Sequence, residues 1–247
     1  MAETGQSTNT TTANPVPVIA IDGPGGAGKG TISQLVADRL GWHLLDSGAL
    51  YRLVALAVIQ NGISLDDEAA VAALASRLDV HFDAVSKVPR VLLGGQDVTD
   101  AIRSEAVGEG ASRVASLARV REALVARQRA FRQPPGLVAD GRDMGDVIFP
   151  DAILKVYLTA SVEERVRRRH KQLKDKGINV SLSALSRDMM DRDRRDSERA
   201  IAPLKPSDDA QLLDTTGMEI SAVVAVVLDW ARERNMTDVP TDVPAKL

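Results

Sequence analysis

The chain contains no cysteine. Disulfides, thiolate nucleophiles and Cys-ligated metal centres are therefore excluded. Histidine is almost as scarce: the three present, His43, His81 and His170, are far apart and show no metal-ligand spacing, so they read as packing or surface residues. Aromatic residues make up 3% of the sequence and the formal net charge is -3. With no polybasic block and few rings to stack on bases, nucleic acid is not an expected partner. Apolar runs such as Leu53 to Ile59 are far too short to span a bilayer. The polar N-terminal segment has neither the basic n-region nor the apolar h-region of a signal peptide. A cytoplasmic enzyme with no membrane partner is the expectation.

What is present is ordinary for a globular protein, with 44% hydrophobic and 26% charged residues. A chain of 247 residues can bury a substantial core without covalent staples, as one large α/β domain or two small ones. Residues 1–15 are low in complexity and predict a disordered tail, and 236–247 predict a frayed C-terminal one. Between them, Val16 to Ile21 fits a buried strand, followed by a glycine-rich turn and a helix, Thr31 to Leu40, closed by Gly41. Further short strands are expected at His43–Leu45, Leu137–Ala139, Leu154–Leu158 and Gln211–Leu213. Helices are expected near 48–60, 106–117, 119–131, 162–175, 181–199 and 219–233. This alternation predicts an α/β fold with a doubly wound parallel sheet. From Asp79 to Thr99 the residues alternate differently and turn at Gly94-Gly95, which predicts a small antiparallel insert.

The strongest local signal is Gly23-Pro24-Gly25-Gly26-Ala27-Gly28-Lys29-Gly30-Thr31. Glycines let consecutive backbone amides converge on an anion, and the helix that follows points its positive end at the same place. Lys29 has the reach for β- and γ-phosphates. Gly30 stands where the general phosphate-loop pattern has its hydroxyl residue. This leaves two roles open for Thr31, a Mg²⁺ ligand or a contact to a nucleotide phosphate.

Transfer of a phosphoryl group between two anions needs cationic groups beyond that loop. Three separated stretches offer them. Asp46-Ser47 precedes a helix that carries Arg52, with Ser47 the expected N-cap. The strand at 137–139 runs into Asp140-Gly141-Arg142-Asp143, at the strand end where α/β folds place ligands. Arg192, Arg195 and Arg199 share one helical face. Each has a plainer reading as a cap, a turn or a salt-bridged solvent face, and the four arginines within 165–169 read first as an exposed helix face.

Taken together, the strings IDGPGGAGKGT, WHLLDSGALYR, RVREAL, ADGRDMGDVIFPDA, RDRRDSERAIAPL and LDTT, in that order, resemble the bacterial cytidylate kinase family of P-loop nucleoside monophosphate kinases, from about Val18 to Trp230. The resemblance implies a kinase domain over 16–235, with a P-loop core, a monophosphate-binding insert at about 66–104 that carries the small sheet, and a short helical lid at about 162–182. It implies transfer of the γ-phosphoryl group of ATP, with Mg²⁺ arriving on the nucleotide, to CMP or dCMP, by a monomer. Carried over position by position, the loop 23–31 would hold ATP, and Arg52, Arg142 and Arg199 the acceptor phosphate. Ser47, Arg192 and Asp196 would lie by the sugar, with Asp46 alongside, and Ser112, Arg121 and Asp143 would read the base. Lys29, Arg142, Arg192 and Arg199 would spread charge in the transition state.

Cytosine offers a donor amine beside acceptors at N3 and O2, to which a carboxylate plus a guanidinium is complementary, whereas uracil would face the carboxylate with an unmatched acceptor. Two other readings stay open at this point. In one, the acceptor is a hydroxyl and Asp140 its base. In the other the chain is a GTP-dependent switch, against which stands the lack of an Asn-Lys-x-Asp guanine reader after a buried strand.

Overall fold

The structure is a computed structural model that describes residues 15–83, 90–175 and 177–234. Both tails expected from composition, 1–15 apart from Pro15 and 236–247, lie outside the described residues.

Strand β1 (Val18–Asp22) is buried along its whole length, and its side chains divide between two cores. Val18 and Ala20 point into one cluster, Ile19 and Ile21 into the other. A strand that must satisfy apolar surroundings on both faces has no polar side to show, and its sequence is accordingly a continuous apolar run rather than an alternating one. It lies at the centre of a five-stranded sheet of order β2-β6-β1-β7-β8, with β2 (His43–Asp46), β6 (Leu137–Gly141), β7 (Leu154–Thr159) and β8 (Gln211–Asp214) all parallel.

Helices α1 (Lys29–Leu40) and α8 (Ile220–Glu233) cover one face, while α2 (Ser47–Gln60) and, beyond it, α4 (Glu105–Val114) and α5 (Ala118–Arg129) pack on the other. The run of buried residues from Leu53 to Val58 in α2 is apolar on every side, as expected of a helix wedged between a sheet and a second layer of helices. The doubly wound core is therefore as the sequence predicted.

The insert is also antiparallel as expected: β3 (Val80–Asp83), β4 (Arg90–Leu93) and β5 (Gln96–Asp97) form a separate sheet, turning at Gly94 and Gly95. Residues 84–89 of this stretch lie outside the described residues. Helix α3 (Glu68–Ser76), N-capped by Asp67, was not anticipated. It buries only Val71 and Ala75, too narrow an apolar stripe to register as periodicity in an alanine-rich segment. Helices α6 (Val162–Asp175) and α7 (Leu182–Ser197) pair over their own small cluster of Val166, Leu173 and Leu185. One cap differs from expectation. Asp46, not Ser47, caps α2, its carboxylate accepting from the Ala49 amide at 2.9 Å. Ser47 is instead the first helical residue, and it is buried.

Candidate active site

The phosphate loop connects β1 to α1, and two local demands dictate its sequence. At Gly23 φ is +145°, and a Cβ there would lie 2.0 Å from the Leu158 carbonyl oxygen, so neither the conformation nor the space admits a side chain. Gly28, with φ at 99°, forms the N-cap of α1 without offering a side chain. The first-turn amides of the helix are thus left free for an anion.

Lys29 follows at once and is buried, its ammonium donating to the Pro24 carbonyl at 3.1 Å and lying 3.9 Å from Asp140. Burial first, and then the neighbouring Arg142, bring its pKa down to about 8. A bound polyanion would offset the repulsion from Arg142 and favour the charged ammonium. Thr31 is exposed on the first turn, on the open side of the helix.

Next to this loop a single cavity is lined by Lys29, Ser47, Tyr51, Ser112, Arg121, Asp140, Arg142, Asp143, Arg192, Asp196 and Arg199, with Asp46 at its edge. Five stretches that are distant in sequence meet there, around Lys29, 46–51, 111–121, 140–143 and 192–199. β6 delivers Asp140 to its C-terminal end, at the crevice beside β1. The following turn delivers Arg142 and Asp143, α4 and α5 deliver Ser112 and Arg121, and α7 with its C-terminal extension delivers Arg192, Asp196 and Arg199. The helical-face reading of the arginines at 192–199 holds in part. Arg192 and Arg199 turn inward, Arg195 stays exposed while its Nε reaches the Ser112 hydroxyl at 3.4 Å, and Arg194 pairs with Asp191 on the solvent side.

The charges inside are arranged in two groups. Arg142 donates through Nε to Asp196 at 3.0 Å. Burial alone would raise the Asp196 carboxyl, but Arg142, Arg192 and Arg199 outweigh it and hold that group below its usual range. Arg192 is pulled down to about 10 by burial and by the neighbouring Arg142. Its Nε, and an Nη of Arg199, are buried and find no hydrogen-bond partner among the described residues. Unsatisfied guanidinium donors on residues that line a polar cavity are where an anion gains most. Deeper in, Arg121 and Asp143 form a buried ion pair. Burial nevertheless pushes the Asp143 carboxyl up, against the pull of Arg121. The Arg121 guanidinium also lies 5.9 Å from the centre of the Tyr51 ring, which limits the directions its donors can face.

Arg52 is the one acceptor candidate outside the lining. It is half-buried on α2, gives Nη1 to the Ile102 carbonyl at 2.9 Å and abuts Gly108. The arginines of α6 need a larger revision. Arg165 is 4% exposed rather than on an open face. It donates to the carbonyls of Ala160 and Gly25 and pairs with Asp193 of α7 at 2.7 Å. Arg168 reaches the Ala27 carbonyl at 3.1 Å and the Thr215 carbonyl at 2.7 Å. Both thus grip the outward-facing carbonyls of the phosphate loop, leaving its amides for the nucleotide.

Asp22, at the end of β1, was likewise not singled out. It is buried, and both oxygens accept backbone amides, from Met144 and Gly145, at 2.9 Å each. Burial raises its pKa to about 7. The clues to these residues were slight: an acidic residue closing an apolar strand for Asp22, and for Arg165 and Arg168 an i, i+3 pair within a run that reads as solvated.

Comparison with known proteins agrees with this geometry. A profile described as cytidylate kinase matches residues 19–233. The cytidylate kinase of Pseudomonas paraeruginosa (strain DSM 24068 / PA7) is 61% identical over 221 residues, covering 89% of this chain and 96% of its own. That of Aeromonas salmonicida (strain A449) is 56% identical over 218 residues, covering 88% and 95%. That of Stutzerimonas stutzeri (strain A1501) is 54% identical over 224 residues, covering 90% and 98%. Matched over nearly its whole length by that profile and by these relatives, the chain belongs to the cytidylate kinase family.

Proposed function

We propose that the cavity transfers the γ-phosphoryl group of ATP to the phosphate of CMP or dCMP, giving ADP and CDP or dCDP. The observation that carries this reading is the convergence of Lys29, Arg142, Arg192 and Arg199 beside one phosphate loop, with the Arg121–Asp143 pair lining the same cavity. The acceptor oxygen is already anionic, so no base is required. The work is alignment and charge dispersal.

In this reading the loop 23–31 cradles the ATP phosphates through its amides, and Lys29 leaves the Pro24 carbonyl to follow the migrating group. Arg142 and Arg199 hold the acceptor phosphate, with Arg52 a further donor from beyond the cavity lining. Arg192 and Asp196 lie between phosphate and sugar, beside Ser47 and Asp46. Ser112, Arg121 and Asp143 read the base, with Asp143 accepting from the cytosine amine and Arg121 donating toward N3 and O2.

Mg²⁺ fits the oxygen donors on either side of Lys29. The Thr31 hydroxyl is free on the first turn of α1, and the Asp140 carboxylate is held within 3.9 Å of the Lys29 ammonium. The ion, carried by ATP, would neutralise charge on the β- and γ-phosphates. Action as a monomer is what the family resemblance implies. Among the described residues no helix is long and apolar enough to cross a membrane, and the cytoplasm is the compartment we assign.

ADP release with Mg-ATP and CMP, dCMP, UMP, AMP or cytidine offered in parallel tests the reading. Turnover with CMP and dCMP, little with UMP and none with cytidine is the expected outcome. Turnover led by cytidine would make the acceptor a hydroxyl and Asp140 its base. Turnover led by AMP or UMP would remove Ser112, Arg121 and Asp143 as cytosine readers.

A further inference from the structure

Asp143 directly precedes a single π turn, Met144–Ile148. An aspartate at that position ordinarily accepts hydrogen bonds from the first free amides of its own turn. Here it does not. Its side chain makes no cap, because the carboxylate is turned away to Arg121. The amides that need a partner, those of Met144 and Gly145, donate instead to the two oxygens of Asp22, each at 2.9 Å.

Asp22 arrives from the opposite direction, at the end of the strand that leads into the phosphate loop. Its backbone register is fixed by pairing with β6, opposite Gly141. The turn is tight against its surroundings as well. A Cβ at Gly141 would lie 2.7 Å from Met144 side-chain atoms and 2.8 Å from the Ser47 hydroxyl.

We infer that Asp22 is a positioning and specificity-determining residue: it caps the 144–148 turn from β1, which relieves Asp143 of that task and keeps the Asp143 carboxylate facing the acceptor base. One carboxylate thereby sets the base-reading group in register with the strand that carries the donor loop. The inference rests on the proposed role of Asp143 as cytosine reader. Without a full cap from Asp22, a free amide is left buried, and Asp143, at the N-cap position of the turn, is a carboxylate placed to satisfy it. Turning there would cost Asp143 its hold on Arg121 and on the substrate amine.

Asparagine separates this role from mere filling of space. Asp22→Asn keeps the shape of the side chain, but its single carbonyl oxygen satisfies one amide and its NH₂ confronts the other with a second donor. KM for CMP, KM for ATP and the ratio of kcat/KM for CMP over UMP are to be measured for the parent, D22N, D143N and the double variant, each checked for cooperative thermal unfolding. The expected result for D22N is a KM for CMP raised about tenfold and a CMP-over-UMP ratio narrowed by a similar factor, with KM for ATP moving less than about threefold. In the double variant the ratio should be about that of D143N alone, since the two changes remove one function.

Effects that multiply in the double variant, or a D22N enzyme that keeps the ratio while D143N loses it, would overturn the inference and leave the cytosine-reading role standing. An unchanged ratio in D143N would overturn that role and the inference with it. Should D22N fail to fold, D22S, whose smaller hydroxyl can still accept one amide, takes its place in the same comparison with the same expected direction.

Discussion

The two ends of the cavity are built on different principles. The donor end is one contiguous stretch, residues 23–31, and it works mainly through backbone amides that glycine and the start of α1 make available. The proposed acceptor end is made of side chains carried by α2, α4, α5, β6 with its following turn, and α7, and its geometry exists only once the sheet and both helical layers are assembled. A backbone site suits a ligand group common to every nucleoside triphosphate. A side-chain site assembled from several elements can be tuned to one base, and it should prove more sensitive to conservative replacement.

The widest break in that comparison is expected at Lys29, the side chain on which the donor end relies. K29M should lower kcat by about a thousandfold while ATP binding changes far less, because the amide cradle survives. Pre-steady-state kinetics with ATP binding measured separately would check it, and near-normal turnover would remove Lys29 from the transition state. At the proposed acceptor end, R142K keeps the charge but loses the Nε donor that engages Asp196. kcat/KM for CMP should fall about thirtyfold with KM for ATP little altered.

A third substitution probes where the two ends join. R165A leaves Asp193 without its partner and frees the Gly25 carbonyl, and denaturant unfolding should register a loss of about 3 kcal/mol together with a raised KM for ATP. The smallest effect expected is on pH dependence. The Asp22 pKa is raised from 3.8 to about 7 by burial, against the pull of its two amide bonds. The native state therefore binds this proton more tightly than the unfolded chain does. The stability linked to it is complete below about pH 4 and is lost as pH rises through about 7. Melting temperatures taken between pH 5 and 8 should fall less steeply in D22N than in the parent.

The same contrast governs what could be read from the sequence. The phosphate loop was legible residue by residue, because glycine spacing, strand and helix coincide within one short window. The parallel sheet was legible because β1 and the first three residues of β6 are continuous apolar runs, and β7 keeps Leu154, Val156 and Leu158 at alternate positions. The acceptor pocket was not legible from periodicity. Asp140 to Asp143 could equally have been a turn, and the 192–199 helix a solvated one. Only the family resemblance brought Ser112 and Arg121 to the same place. Arg165 was misread because four arginines in five residues look solvated until the loop carbonyls they satisfy are brought alongside. Asp46 displaced Ser47 as the cap because the longer side chain reaches the Ala49 amide from one residue further back. Helix α3 was missed because alanine carries little periodic signal.

The grip of α6 on the phosphate loop has a mechanical consequence. Arg165 and Arg168 fasten the first two turns of that helix to Gly25, Ala27 and Thr215, so this part cannot swing as a free flap without surrendering several partly buried hydrogen bonds. The fulcrum of any opening therefore lies beyond Arg168. There, Arg169 reaches across the cleft to an exposed carboxylate, Glu105 at the start of α4. A solvent-exposed ion pair of this kind is cheap to make and to release. The helix is thus bolted to the loop at its base and packed against α7 through Leu173 in its last turn, while its middle touches α4 through a pair that is easily released.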